Sequence, residues 1–263
     1  KLGLLERKLY RKHLEQQQFI KHLNFNMKKV FFVLTFIIIT QSALAQLFTQ
    51  EKIKNNENFD KSQLSWGYYL GFNSFDFNFD YNQDLADIQV EKSVGFNVGL
   101  IGNLRISENL DLRFEPGLTI TKRNLIYEPS YFQGIGYNDN DLLREVQSTY
   151  IYLPVLLKIS TKRVNNIKPF IVGGFSTALN LSSNEENPDD NSVGQFRSKR
   201  SVYFYELGLG IDLYLFWFKF TPTLRGVFAL NDELVRDFDP NSPWTSNVYS
   251  MKTRGMFINF TFQ

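Results

Sequence analysis

The chain has 263 residues, 29 Lys and Arg against 27 Asp and Glu, 16% aromatic residues and no cysteine. Eight of the basic and two of the acidic residues precede Gln46, as do both histidines, His13 and His22; the remainder carries 21 basic and 25 acidic residues, net −4. That balance argues against a nucleic-acid partner, and a chain from Gln46 onward without imidazole or thiol excludes Ser-His-Asp and Cys-His nucleophiles and ordinary zinc or haem sites.

The first methionine is Met27, and it opens MKKVFFVLTFIIITQSALAQ. Lys28 and Lys29 form a positive start, Val30 to Ile39 an apolar run, and Ala43-Leu44-Ala45 a small-residue cleavage site. This reads as a secretory signal peptide over 27–45. A transmembrane helix fails on length, because spanning takes about 20 apolar residues. Residues 1–26 are expected to be translated leader from an overlong reading frame, not a basic domain. Residues 46–65, polar and without periodicity, are expected to form a periplasmic N-terminal segment, either a tail or a plug of the lumen.

From residue 66 to 263 the chain alternates. Trp66, Tyr68, Leu70 and Phe72 mark a first strand, which runs on into SFDFNFDY, Ser74 to Tyr81, after a change of phase. Val94 to Ile106, Leu110 to Thr121 and Ile151 to Ile159 follow, the last with Leu153, Val155 and Leu157. Pro169 to Leu181, Tyr203 to Leu213, Phe218 to Phe228 and Met256 to Phe262 complete eight segments. A period of two is the signature of a strand with two unlike faces. Lengths of about ten residues or more fit strands that cross a bilayer, where about 9–11 suffice. The gaps 81–90, 123–146, 182–200 and 231–247 are long, and those at 107–109, 162–166 and 215–217 are short, in strict alternation. An up-and-down barrel places all long gaps on one rim, as outer-membrane barrels do; a Greek-key sandwich has no such reason.

The sequence therefore predicts an all-β fold, an eight-stranded antiparallel up-and-down transmembrane barrel of outer-membrane type with both termini periplasmic. Its apolar stripe would face outer-membrane lipid. Its polar stripe would form a charge network in the lumen from Arg105, Arg113, Glu115, Lys158, Glu206, Asp212, Lys219 and Arg225, and an eight-strand lumen is narrow enough for side chains to fill. A porin is excluded on that ground. For SFDFNFDY two arrangements remain. A bulge near Asn73-Ser74 would turn its aromatics to lipid and Asp76 and Asp80 inward; without one, the aromatics enter the lumen and the acids face out.

Four features invite a functional reading. Asn138 to Asp141 and Glu185 to Asp190 cluster oxygens but lack the spacing of a dedicated Ca²⁺ loop, so solvated acidic loops are expected, with no metal and no cofactor. Glu115 with Glu206 or Asp212 reads as ion pairing with Arg113, Arg225 and Lys219 before it reads as acid–base catalysis, so no enzyme is expected. Arg197-Ser198-Lys199-Arg200 offers a basic cluster either to lipopolysaccharide phosphates or to water. Tyr127, Tyr131, Phe132, Tyr137 and Trp244 lie in long gaps, where aromatics make partner contacts, form an interfacial belt, or pack on one another over the mouth.

SWGYYLGFNSFDFNFDY and, later, VQSTYIYLPVLLKIS resemble the PorT (SprT in gliding bacteria) family of outer-membrane barrels. Gly67 to Phe77 and Ser148 to Lys158 carry the likeness. The resemblance implies a non-enzymatic part in type IX protein secretion and gliding motility, through contacts with other secretion-machinery proteins, and no catalytic residue to carry over. The alternative is a stand-alone small barrel acting as an adhesin or envelope-stabilising protein.

Overall fold

The computed structural model describes residues 54–187, 191 and 196–263. The expected leader, signal peptide and first part of the 46–65 segment lie outside the described residues. From residue 54 the chain opens with a single 3-10 turn, Phe59–Lys61, and then forms ten strand segments. These are β1 (Leu64–Tyr81), β2 (Gln89–Lys92), β3 (Val94–Arg105), β4 (Leu110–Phe114), β5 (Gly117–Ile126), β6 (Leu143–Ser160), β7 (Ile167–Asn180), β8 (Ser201–Tyr214), β9 (Lys219–Ala229) and β10 (Val248–Phe262).

The ten segments make eight staves. β2 and β3 are one stave interrupted at Ser93, and β4 and β5 are one stave interrupted at Pro116, which has no N–H to give the ladder. Every neighbouring pair is antiparallel, and β1 pairs with both β10 and β3, which closes the ring. From Leu64 to Ser74 of β1 this closure removes the edges that an open sheet would expose. Connections 106–109, 161–166 and 215–218 gather at one rim with the N-terminal segment; 82–88, 127–142, 181–200 and 230–247 gather at the other.

The wall is apolar outside. Leu100, Phe175 and Leu207 are 63–68% exposed although each sits mid-strand, which a water-filled exterior would penalise at about 25 cal/mol per Å² of apolar surface. Inside, small residues make room: a Cβ on Gly71 would come within 2.1 Å of Asn259 Oδ1. Gly71 thereby admits a lumen ladder in which Asn73 Nδ2 donates to Asn97 Oδ1 (2.7 Å) and Asn97 Nδ2 to Asn259 Oδ1 (3.1 Å).

β1 resolves the phase of SFDFNFDY. Its pairing with β10 runs without a slip from Tyr68 to Asp80, so there is no bulge at Asn73-Ser74. Phe75 and Phe77 are buried inside, at 0% and 3% exposure, and Asp76 takes the opposite face of the strand, covered by Lys92 and Arg254. The arrangement with aromatics toward lipid is thus corrected to the one with aromatics in the lumen. The slip falls on the neighbouring stave instead: Phe96 stands opposite Ile120, but Lys92 stands opposite Arg123.

Candidate functional site

The lumen is packed in layers. Nearest the short-turn rim, Lys158 pairs with Asp212, whose other oxygen accepts the Thr221 hydroxyl at 2.8 Å. Lys219 is buried beside them and sets its ammonium 4.4 Å from the centre of the Phe59 ring. The next layer joins Arg113 Nη2 to Glu115 Oε1 (3.3 Å), and Arg225 Nη1 to Glu115 Oε2 (2.9 Å) and Glu206 Oε2 (3.3 Å). Glu206 Oε1 accepts the Tyr152 hydroxyl at 2.7 Å, and that hydroxyl in turn accepts one from Ser176 at 2.8 Å. Two arginines thus face two glutamates, and Lys158 and Lys219 share Asp212, in a space where a buried charge without a partner is costly.

Above the ions lies an aromatic layer of Phe75, Tyr150, Phe204 and Phe257, with Val202, Val227 and Ala178. Phe75 meets Phe257 edge-on at 5.3 Å between centroids, an arrangement the ring quadrupole favours. Arg123 crosses above it, donating to Thr253 Oγ1 (2.9 Å) and Ser148 Oγ (3.0 Å), with its guanidinium 3.8 Å from the centre of the Phe77 ring.

Both mouths are covered. At the short-turn rim Asn55 N donates to Asn166 Oδ1 (2.9 Å), Tyr214 donates its hydroxyl to Asp60 (2.7 Å), and Phe59 meets the Tyr214 ring edge-on. At the other rim the long loops share an apolar core of Phe77, Ile88, Leu125, Tyr127, Phe132, Val146, Phe196, Leu234, Val248 and Met251. Trp244 closes it, donating Nε1–H to Asp141 O (3.0 Å) with Arg144 stacked 4.4 Å from its ring. Arg197 is buried in this lid and pairs with Asp237 at 3.2 Å. Glu233 reaches down from the 230–247 loop, accepting the Thr253 N–H at 2.8 Å; burial pushes its carboxyl above the ordinary value, against the pull of Arg123.

The residues singled out from sequence fall into place as follows. Arg113, Glu115, Glu206, Asp212, Lys219 and Arg225 share the lumen. Arg105 does not: it ends β3 at the short-turn rim, half-buried and bonded to the Ser107 carbonyl. Tyr127 and Phe132 are 2% and 3% exposed, which corrects their reading as partner contacts; with Tyr131 and Trp244 they pack over the mouth, and Tyr137 alone of the five keeps an exposed ring. Arg197 points into the lid and is not offered to lipid phosphates. Asp141 folds back on Asn138 N in a capping box at 2.9 Å, which lowers its carboxyl pKa. Arg123 was hidden in an expected loop, yet it continues the inward series of Arg113, Glu115, Thr119 and Thr121, so extending the alternation two residues would have found it.

The barrel resembles Neisserial surface protein A (TM-score 0.40, 11% identity, 76% of this chain and 98% of that one) and OprG from Pseudomonas aeruginosa (TM-score 0.42, 13% identity, 76% and 93%). It also resembles Ail, the attachment invasion locus protein of Yersinia pestis (TM-score 0.36, 11% identity, 76% and 99%). Among curated proteins none matches. The outer membrane protein beta-barrel domain profile matches residues 45–235. With the ring closed, the exterior apolar and that profile spanning most of the staves, the chain belongs to the outer membrane protein beta-barrel domain family and is a protein of the bacterial outer membrane.

Proposed function

We propose that this barrel is a non-enzymatic assembly or accessory component of the type IX protein secretion and gliding machinery. It sits in outer-membrane lipid with its short-turn rim and its C-terminus toward the periplasm. The observation that carries the reading is the filled lumen: among the described residues, side-chain ion pairs, an aromatic layer and two covered mouths occupy the interior and bury its carboxylates. A barrel built this way acts through its outer surfaces. The likeness of Gly67 to Phe77 and Ser148 to Lys158 to the PorT family supports the pathway, and the sorting of short and long connections supports the orientation.

Deleting the gene tests it: cargo should accumulate inside the cell and gliding should stop, with both restored by the intact gene. Normal export and gliding in the deletion strain would reject the reading. The folded lid favours a second reading, an adhesin or envelope-stabilising barrel. There, shortening the four long loops abolishes surface attachment or envelope integrity while export is untouched.

A further inference from the structure

The slip at Ser93 has an effect on the barrel wall. In the β9–β10 ladder Lys219 and Gln263 exchange both main-chain hydrogen bonds, so odd residues of β10 face β9 and even ones face β1. Even residues of β1 therefore bond to β10, and odd ones face the other way, as Arg105 N donating to Gln63 O confirms. That other side is paired only up to Ser74 opposite Val94. Beyond it β2 follows β5, held there by Ser93 N and Oγ on the Lys122 carbonyl, and β2 forms no ladder with β1.

The N–H and C=O groups of Phe75, Phe77 and Phe79 thus face a seam. Across it the same parity argument puts those of Val90 and Lys92. A cleft of about 350 Å³ lies here, lined among others by Asp76, Phe77, Phe79, Val90, Lys92 and Arg254. Side chains clasp its two ends: Lys92 Nζ to Asp76 Oδ2 at 2.9 Å, and Ile88 N to the Tyr81 hydroxyl at 2.9 Å. Neither clasp occupies the main-chain groups between them.

We infer that this seam is a strand-addition site, which takes an extended peptide segment of a partner protein along the free edge of β1. A row of amides and carbonyls that no ladder takes up, with two-residue repeat, is complementary to an extended backbone and to little else. Residues of the guest that alternate with the bonded ones would lie over Phe77 and Phe79 on one side and beside Lys92 and Arg254 on the other. The inference is independent of which machinery the barrel serves.

Hydrogen exchange on the full chain in detergent micelles tests it. In the free protein the amides of Phe75, Phe77 and Phe79 should exchange much faster than those of Tyr69 and Gly71. A pool of octapeptides alternating valine with serine or threonine should slow exchange at the three phenylalanines about tenfold. The same pool N-methylated at alternate residues should not, Lys92→Ala should strengthen the effect by releasing the clasp, and Val90→Pro should weaken it. Equal protection of both sets in the free chain overturns the inference. So does an absence of slowing, equal slowing by the N-methylated pool, or protection by lipopolysaccharide in place of peptide.

Discussion

Replacing Arg225 by Met removes the one cation that touches both glutamates of the lumen. Glu115 keeps Arg113 at 3.3 Å, and Glu206 keeps the Tyr152 hydroxyl at 2.7 Å, but neither contact restores the missing positive charge. All three side chains are at most 5% exposed, so water cannot substitute. Breaking a buried pair in this way costs about 3–5 kcal/mol, because one charge is left uncompensated. With a urea slope of about 1–3 kcal/mol per molar, the unfolding midpoint should fall by one to several molar. Barrel folded in detergent, titrated with urea and read by tryptophan fluorescence, gives that midpoint. The control is the double variant Arg225→Met, Glu206→Gln, which leaves Arg113 paired with Glu115 and the site without net charge at nearly constant volume, and should regain most of the loss. A single variant within about 1 kcal/mol of the parent, or a double variant that loses more than the single one, would refute the claim that the lumen is held by charge compensation.

Three further outcomes follow from the geometry. Leu209, 59% exposed on the outer face of β8, should cost about 2–4 kcal/mol when changed to Lys if that face meets hydrocarbon, whereas Arg105→Ala at the rim should stay within about 0.5 kcal/mol; the same urea titration in lipid vesicles compares them. Phe75→Ala empties the centre of the aromatic layer and should cost about 3–5 kcal/mol, with lumen amides on β1 and β10 exchanging faster. Glu233 carries a raised carboxyl pKa, so the folded lid holds a proton that the unfolded lid releases: stability is greatest below the ordinary value of 4.5 and declines as pH rises from there through the raised value. Unfolding midpoints across that range should show the decline, and Glu233→Gln should flatten it.

The exterior of the barrel was legible because lipid imposes one chemistry on every second residue of β3, β6 and β8. The lumen was legible for the converse reason, since Arg113, Glu115, Glu206, Asp212 and Arg225 interrupt otherwise apolar strands on the opposite phase. The rims were not. Tyr127 and Phe132 stand in one loop and Trp244 in another, and nothing local to any of them encodes their shared core with Met251 and Phe77. Arg105 has the parity of the lumen but the wrong height, and alternation reports a face without reporting depth. The covering of the short-turn mouth by Phe59 and Asp60 was equally hidden, because it depends on Tyr214 and Asn166, more than a hundred residues away.

The position of the bulge shows where such reading reaches its limit. The aromatics of Trp66 to Phe72 and those of Phe75 to Tyr81 have opposite phase, and a slip in either of two neighbouring staves accommodates the sheet to them. Ser93 bears no glycine or proline to mark it. Its placement nevertheless fixes where the bilayer ends. Unpaired main-chain groups in hydrocarbon cost several kcal/mol each, so the seam beginning at Phe75 has to stand in the aqueous zone. The outward side chains agree independently: they are Trp66, Tyr68, Leu70 and Phe72 up to that level and Asp76, Asn78 and Asp80 beyond it. One boundary is drawn twice, once by the backbone's hydrogen bonds and once by the polarity of the wall, and it separates the half of β1 that must stay closed from the half that is free to pair.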